Sequence, residues 1–320
     1  MTVSRAPLPI RDGVGPACVA LPIGPWVTTL DFLIARFPHV ARPELEARLT
    51  RGDIVDDTGT PAVADEPYRP HRKLYYYRAL EHEPRIPFEA RILYQDDYLI
   101  AVDKPHFLPV TPSGQYLQET LLVRLVRQLG IASLAPMHRL DRETAGVVLF
   151  TVQPALRGQY QDLFTRRVVQ KEYEAIAPHR ASLDLPITRR SRLVRGEPFM
   201  RMRETALGEP GDINAQTTIE RLEAIDNDWA RYRLIPLTGK KHQLRVHMAG
   251  LGIPIRHDVL YPTLQASTVT DTTDYSRPLQ LLARRIAFTD PITGRHREFC
   301  SERTLPAAPE DGDEGAGAPA

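Results

Sequence analysis

Apolar residues at Leu30, Leu33, Ile34 and Phe37, then at Leu45 and Leu49, recur at the spacing of one helical face. Pro38 disfavours helical geometry at Phe37, so the pattern predicts two short helices instead of one long one. Ile54-Val55 and Leu74-Tyr75-Tyr76-Tyr77 follow as strands, completing a helix-helix-strand module near Glu83, and Pro84 to Phe88 has the composition of a linker. Further on, Ile92-Leu93-Tyr94 and Leu99 to Val102 form two strands joined by the turn-forming pair Asp96-Asp97. Leu121, Leu122, Leu125, Val126 and Leu129 mark an amphipathic helix that stops at Gly130. Val147 to Val152 is apolar except at Thr151, the mark of a buried strand; Tyr173 to Ile176, Ala215 to Ile219, Tyr232 to Ile235 and Leu281 to Phe288 are further strands. Helices do not alternate with these strands at regular βαβ spacing, so the expected class is α+β with a largely antiparallel mixed sheet. Residues 1–25, rich in Pro and Gly, and the acidic residues 305–320 are expected to lack structure, which leaves a small module at 26–84 and a larger domain at 85–304.

Composition adds little to this picture and charge adds more. A hydrophobic fraction of 42% with 25% charged residues suits a folded chain of 320 residues with a sizeable core. No run of about 18 apolar residues occurs, and Thr2 to Pro7 lacks the apolar stretch of a secretion signal, so a cytoplasmic protein is expected, a monomer by default. Cys18 and Cys300 belong to no paired motif and are expected to be inert or buried thiols, with no zinc. The formal net charge is only +1, yet it is unevenly spread: Leu156 to Arg203 carries eleven Lys or Arg against five acids, an excess of six. Such a stretch suits a phosphate backbone, and equally a solvated basic face.

Three polar constellations lie at the edges of apolar elements. Met137 to Gly146, containing His138-Arg139-Leu140-Asp141-Arg142-Glu143, feeds straight into the buried strand at Val147, where a carboxylate at a sheet rim can reach a cleft; spacing alone also fits a salt-bridged surface loop. Gln170-Lys171-Glu172-Tyr173-Glu174 sets an aromatic ring beside cations, as stacking on an unpaired base requires, although a Tyr at a strand edge also serves packing. Leu237 to Met248 is a Gly turn followed by a helix on which His242 and Arg245 share a face while His247 points away. That separation of the two histidines disfavours a metal site, and no Cys cluster or His-Glu-x-x-His pattern occurs elsewhere.

His138-Arg139-Leu140-Asp141-Arg142 with Ala145-Gly146, Lys171-Glu172-Tyr173, and Gly239-Lys240-Lys241-His242-Gln243-Leu244-Arg245-Val246-His247 closely resemble, in order, the three motifs of the RluA-type RNA pseudouridine synthases. Asp103-Lys104-Pro105 and Pro291-Ile292-Thr293-Gly294 extend the resemblance over roughly Ile92 to Arg295. The N-terminal module in turn resembles, through Leu30 to Leu33 and Arg48 to Ile54, a small RNA-binding domain first named for a ribosomal protein; a helical hairpin without RNA contact fits it too. Departures are His257-Asp258 where the family commonly has Gly-Asp, Pro262 after Tyr261 where it has Gly, and Leu282 where it has His.

The resemblance implies the pseudouridine synthase fold with a central catalytic cleft and a cofactor-free isomerase acting on structured ribosomal or transfer RNA, not DNA. It implies Asp141 as covalent nucleophile, Arg245 as its cationic partner and Tyr173 stacked on the target base. Arg139 would fill the space left by a flipped nucleotide, with His138, Arg142, Lys171, Lys240, Lys241 and His242 as further RNA contacts. Arg189, Arg190, Arg192, Arg195, Arg201 and Arg203 are the phosphate-contact candidates. Two rivals remain at this point: a noncatalytic RNA-binding protein, and a metal-dependent hydrolase using His138, Asp141 and His242.

Overall fold

The computed structural model describes residues 6–11, 13–78, 80, 83–198, 200–206, 209–265 and 274–306. The chain forms two units, one of Met1–Arg85 with Thr111–Ala132, the other of Ile86–Val110 with Ser133–Ala320. The excursion at 111–132 thus belongs with the N-terminal module and not with the larger domain expected at 85–304. The acidic run from Glu310 to Glu314 lies outside the described residues.

In the first unit, α1 (Thr29–Arg36) starts from a reciprocal cap in which Thr28 and Asp31 each accept the other's backbone N–H, satisfying donors that a helix start leaves open. α2 (Arg42–Thr50) follows after the break at Pro38. β2 (Ile54–Val55) and β3 (Lys73–Tyr76) pair antiparallel, and β1 (Ala17–Ala20) pairs along the other side of β3. This corrects the expectation that residues 1–25 are without structure: β1 has one large inward side chain, Val19, too weak a signal for periodicity to register, and its order comes from the partner strand. Leu30, Phe32, Leu33, Leu45, Leu49 and Leu74 fill the core of this unit. α3 (Leu121–Leu129) begins at the Thr120 cap, ends at Gly130 with φ 69°, and packs Val123 on Val14 and Leu117.

The second unit is built on a ten-stranded sheet. Its strands are β4 (Arg91–Gln95), β5 (Leu99–Lys104), β6 (Ala135–Pro136), β7 (Ala145–Thr151), β8 (Gln170–Pro178), β9 (Ile187–Ser191), β12 (Ala215–Ala224), β13 (Trp229–Pro236), β14 (Leu281–Thr289) and β15 (His296–Cys300). β10 (Leu193–Arg195) and β11 (Met202–Glu204) form a separate hairpin. The main order is β4-β5-β7-β14-β8-β13-β12-β9, with β6 against β7 and β15 against β14. Every pairing is antiparallel except β7 with β14, so the sheet is mixed and largely antiparallel as the apolar pattern predicts.

All seven residues of β7 are buried. Its apolar side chains pack with those of β5 and with Tyr160 and Leu163 of α4 (Arg157–Thr165). A second cluster joins Ala175, Tyr232 and Leu234 to Leu244 and Met248 of α5 (Gln243–Gly250), which fixes that helix against β8 and β13. Gly146, at φ 113°, has the carbonyl oxygen of Ala283 only 2.2 Å from where a Cβ would stand, so the parallel seam with β14 requires glycine there. No helix among the described residues is long and apolar enough to cross a membrane. Of the two readings of Cys18 and Cys300, inert or buried, burial does not hold: both are exposed, because both lie on strands at positions facing solvent.

Candidate active site

The charged loop before β7 ends in a turn closed by the Thr144 N–H donating to the Asp141 carbonyl at 3.1 Å. Two side chains from the end of β5 pin that turn. Lys104, fully buried, donates from Nζ to the carbonyls of Pro105 (2.9 Å), Leu108 (2.8 Å) and Arg142 (3.1 Å), which accounts for all three of its protons. His106 donates from Nδ1 to the Glu143 carbonyl at 2.6 Å. Burial lowers Lys104 to about 7 against the opposing pull of Glu143 and Asp141, and lowers His106 to about 4.

α5 faces this turn. Its Arg245 is 1% exposed, and Asp258 holds the guanidinium with two parallel bonds, Nε to Oδ2 at 2.8 Å and Nη2 to Oδ1 at 2.6 Å. Asp258 Oδ1 also accepts the backbone N–H groups of Leu260 (2.9 Å) and Tyr261 (3.1 Å), so the carboxylate is itself fixed. The third guanidinium nitrogen, Nη1, is buried without a hydrogen-bond partner among the described residues. It lies 3.8 Å from Asp141 Oδ2 and 3.8 Å from Glu143 Oε2. Leaving a buried donor unmet costs about 1–3 kcal/mol, more when charged, so this atom, facing both carboxylates from beyond hydrogen-bond distance, is held at a cost.

Burial pushes the Asp141 carboxyl above its ordinary range, opposed by the Arg245 cation and reinforced by the Glu143 charge. Burial acts on Glu143 in the same sense, but there Arg245 and Arg142 together prevail and hold it below the usual range. Two neighbouring carboxyls are therefore driven apart, a pattern that separates roles at reactive sites. Tyr173 stands on β8 opposite Leu234 of β13 and Ala283 of β14; burial, then the Asp141 charge, raises its hydroxyl well above the usual value. Lys171, two residues before it, donates from Nζ to the Thr238 carbonyl at 3.0 Å, and burial lowers it to about 8.

Of the residues singled out by sequence, the structure brings Arg245 and His242 each within 4.0 Å of Asp141, with Tyr173 within electrostatic reach of it. His247 turns away, as its spacing predicts, to Thr217 (2.9 Å) and Ser191 (3.0 Å). Several expected RNA contacts are committed elsewhere. His138 accepts the Leu149 N–H at 3.3 Å and stacks on Phe164, and burial lowers it to about 3, so it packs the loop and offers no charge. Arg189 is forked onto Glu204, Arg203 onto Glu209, Arg192 donates to the Pro210 carbonyl and Arg201 to that of Pro262. Arg190 meets Gln216, and Arg142 meets Glu143. Lys241 donates to the Met200 carbonyl at 3.1 Å. Arg139, Arg195 and Lys240 are exposed, with side chains that bond to none of the described residues.

Sequence reasoning gave no role to Asp258, Lys104, Glu143 or Gln243. Gln243 orders the motif loop with all its amide atoms: Oε1 accepts from Thr238 (2.7 Å) and the Lys240 N–H (3.1 Å), while Nε2 donates to the Gln216 carbonyl and to Thr217 (both 2.9 Å). The signal for Asp258 was its neighbour. His257 has φ 61°, the left-handed region that favours glycine, which explains why Gly-Asp is the common pair at this turn. Among the described residues no three His, Cys, Asp or Glu side chains gather as metal ligands would.

The sequence profile of a family described as RNA pseudouridylate synthase matches residues 98–250, which include Asp141, Tyr173 and Arg245 but not Asp258. The chain is similar to the dual-specificity RNA pseudouridine synthase RluA of Haemophilus influenzae, 32% identical over 222 residues, covering 69% of this chain and 96% of that protein. It is also 34% identical over 220 residues to tRNA pseudouridine synthase C of Pasteurella multocida, covering 66% and 90%. Among solved structures, human RNA pseudouridylate synthase domain containing 4 superposes with a TM-score of 0.50 at 28% identity, over 68% of this chain and 88% of that one.

Proposed function

Since this chain belongs to the RluA-type RNA pseudouridine synthases, and is thus an isomerase acting on RNA, we propose that Asp141 is its nucleophile, served by Arg245 and Tyr173. Turning uridine into pseudouridine breaks the bond from N1 to the ribose, forms one from C5, and moves a proton from C5 to N1, so nothing is oxidised or reduced. A carboxylate that adds covalently and leaves again meets this need, whether it attacks the ribose or the ring. Tyr173 stacks on the uracil, and its raised hydroxyl keeps the proton with which it can assist the exchange.

The observation that carries this reading is the unmet Nη1 of Arg245, 3.8 Å from Asp141 Oδ2 and locked in place by Asp258. It favours an ionised carboxylate in a site whose burial works against one. The substrate is a uridine in structured ribosomal or transfer RNA; transfer RNA is the class named for one of the similar bacterial enzymes, and the other is named as dual-specificity. Such a uridine must leave its stack at a cost of a few kcal/mol, which the exposed Arg139 offsets by filling the gap. Arg195 and Lys240 are the phosphate contacts, the protein works as a cytoplasmic monomer, and DNA is not a substrate. The small N-terminal module at 26–84 assists in holding RNA.

The test is Asp141→Asn assayed on unmodified ribosomal and transfer RNA transcripts. Pseudouridine formation is expected to vanish while RNA affinity stays within about 1 kcal/mol, because the side chain is nearly isosteric and touches few phosphates. An Asn variant that still forms pseudouridine would remove Asp141 from this role.

A further inference from the structure

His242 stands at the N-terminal cap of α5 with φ 54° and ψ 16°, in the left-handed region. From there its Nε2 lies 4.0 Å from Asp141 Oδ1, while Arg245 Nη1 lies 3.8 Å from Oδ2, so each carboxylate oxygen faces a different donor. The other ring nitrogen, Nδ1, is 2.9 Å from the hydroxyl of the buried Tyr261, and that hydroxyl accepts the Met202 N–H at 2.7 Å. These two bonds decide where the imidazole proton sits. With Met202 donating to the Tyr261 oxygen, the Tyr261 proton is free to go to His242 Nδ1. The opposite arrangement, Nδ1–H donating to Tyr261, would leave the buried Tyr261 proton with no acceptor among the described residues. Nδ1 is therefore the acceptor, and Nε2 carries the hydrogen.

We propose that His242 is a positioning residue for Asp141, a neutral imidazole whose tautomer is set by Tyr261 and whose Nε2–H is aimed at Oδ1. The inference rests on Asp141 being the nucleophile. Neutrality has two sources, burial first and then the Arg245 and Lys241 charges, which outweigh Glu143 and Asp258; together they lower the ring to about 3. Both donor distances exceed hydrogen-bond length, so a small turn of the carboxyl brings either into contact. A neutral donor orients the carboxylate and stabilises its ionised form without a second full charge, which would blunt its attack. The assignment replaces the RNA contact that the motif suggests for His242, since its ring atoms are spent inside the protein.

The experiment is single-turnover pseudouridine formation, enzyme in excess, on total RNA from cells lacking the protein, with retention of the same RNA measured in parallel. His242→Ala is expected to slow the rate by about tenfold or more, to leave RNA retention unchanged, and to move the acid limb of the rate profile to higher pH. His242→Gln, whose amide N–H reaches the place of Nε2–H, should recover most of the rate. Tyr261→Phe keeps the ring but loses the proton that fixes the tautomer, and should slow the rate without weakening retention. A wild-type rate for His242→Ala, a loss seen only in retention, or Gln as slow as Ala with the acid limb unmoved would each overturn the proposal. Should the Ala variant fail to fold, the Gln and Phe variants decide by the same criteria. Asp141→Asn is run alongside: activity there removes the nucleophile itself, whereas an inactive Asn variant beside an unaffected His242→Ala removes only the inference about His242.

Discussion

At Asp141, burial and a neighbouring cation pull in opposite directions, and burial prevails. With Asp141 as the proposed nucleophile, its reactive form is the carboxylate, and the rate should rise with pH through a raised pKa and level off above it. The single-turnover profile is therefore expected to reach half its plateau at a pH above the ~3.9 of an unperturbed aspartate. A limb at or below that value would mean that Arg245 outweighs burial. The same shift has a consequence for folding. A carboxyl raised in the folded state contributes stability in its protonated form, present below the unfolded pKa and lost as pH rises through the folded one. At neutral pH Asp141 is thus a cost to the fold, and the Tm of Asp141→Asn should be no lower than that of the parent. The motif residues Asp141, Tyr173 and Arg245 were legible in sequence; the clamp from Asp258 and the support from Lys104 were not. Those two act through contacts spanning 13 and 38 residues, which no local spacing reveals.

Elements with an apolar run or stripe were the readable ones. β7 carries a long apolar run, β8 and β14 carry shorter ones in Ala175-Ile176-Ala177 and on either side of Arg284-Arg285, and α3 has its stripe and its stop at Gly130. β9 and β15 were missed for a common physical reason: Ile187-Thr188-Arg189-Arg190-Ser191 is an edge strand and His296-Arg297-Glu298-Phe299-Cys300 a mostly exposed one, and charges are what such edges tolerate. What composition showed as a basic stretch is therefore partly a sheet edge. At the parallel seam the constraint is strict. Gly146→Ala would drive a methyl group into the Ala283 carbonyl, and a loss of about 3 kcal/mol is expected in denaturant unfolding. Unchanged stability would show that β7 and β14 can part there at no cost.

For the whole molecule, a net charge of +1 conceals how few cations are available to a polyanion. Four of the six arginines expected to meet phosphate are engaged by Glu204, Glu209 or backbone carbonyls. Arg195→Gln and Lys240→Gln should each reduce the slope of log affinity against log salt by about 1. Arg189→Gln, by contrast, should leave that slope in place; equal slopes for all three variants would show that the ion pair with Glu204 opens on RNA.

Strand order has a last consequence, for synthesis. β14, nearly the last strand made, lies between β7, which follows the Asp141 turn, and β8, which bears Tyr173. A nascent chain that has not yet released residue 289 holds two half-sheets, with β8 unpaired along its inner edge and β7 paired on that side only by the short β6. The proposed catalytic site is therefore completed late, and until then those open edges need protection from other strands.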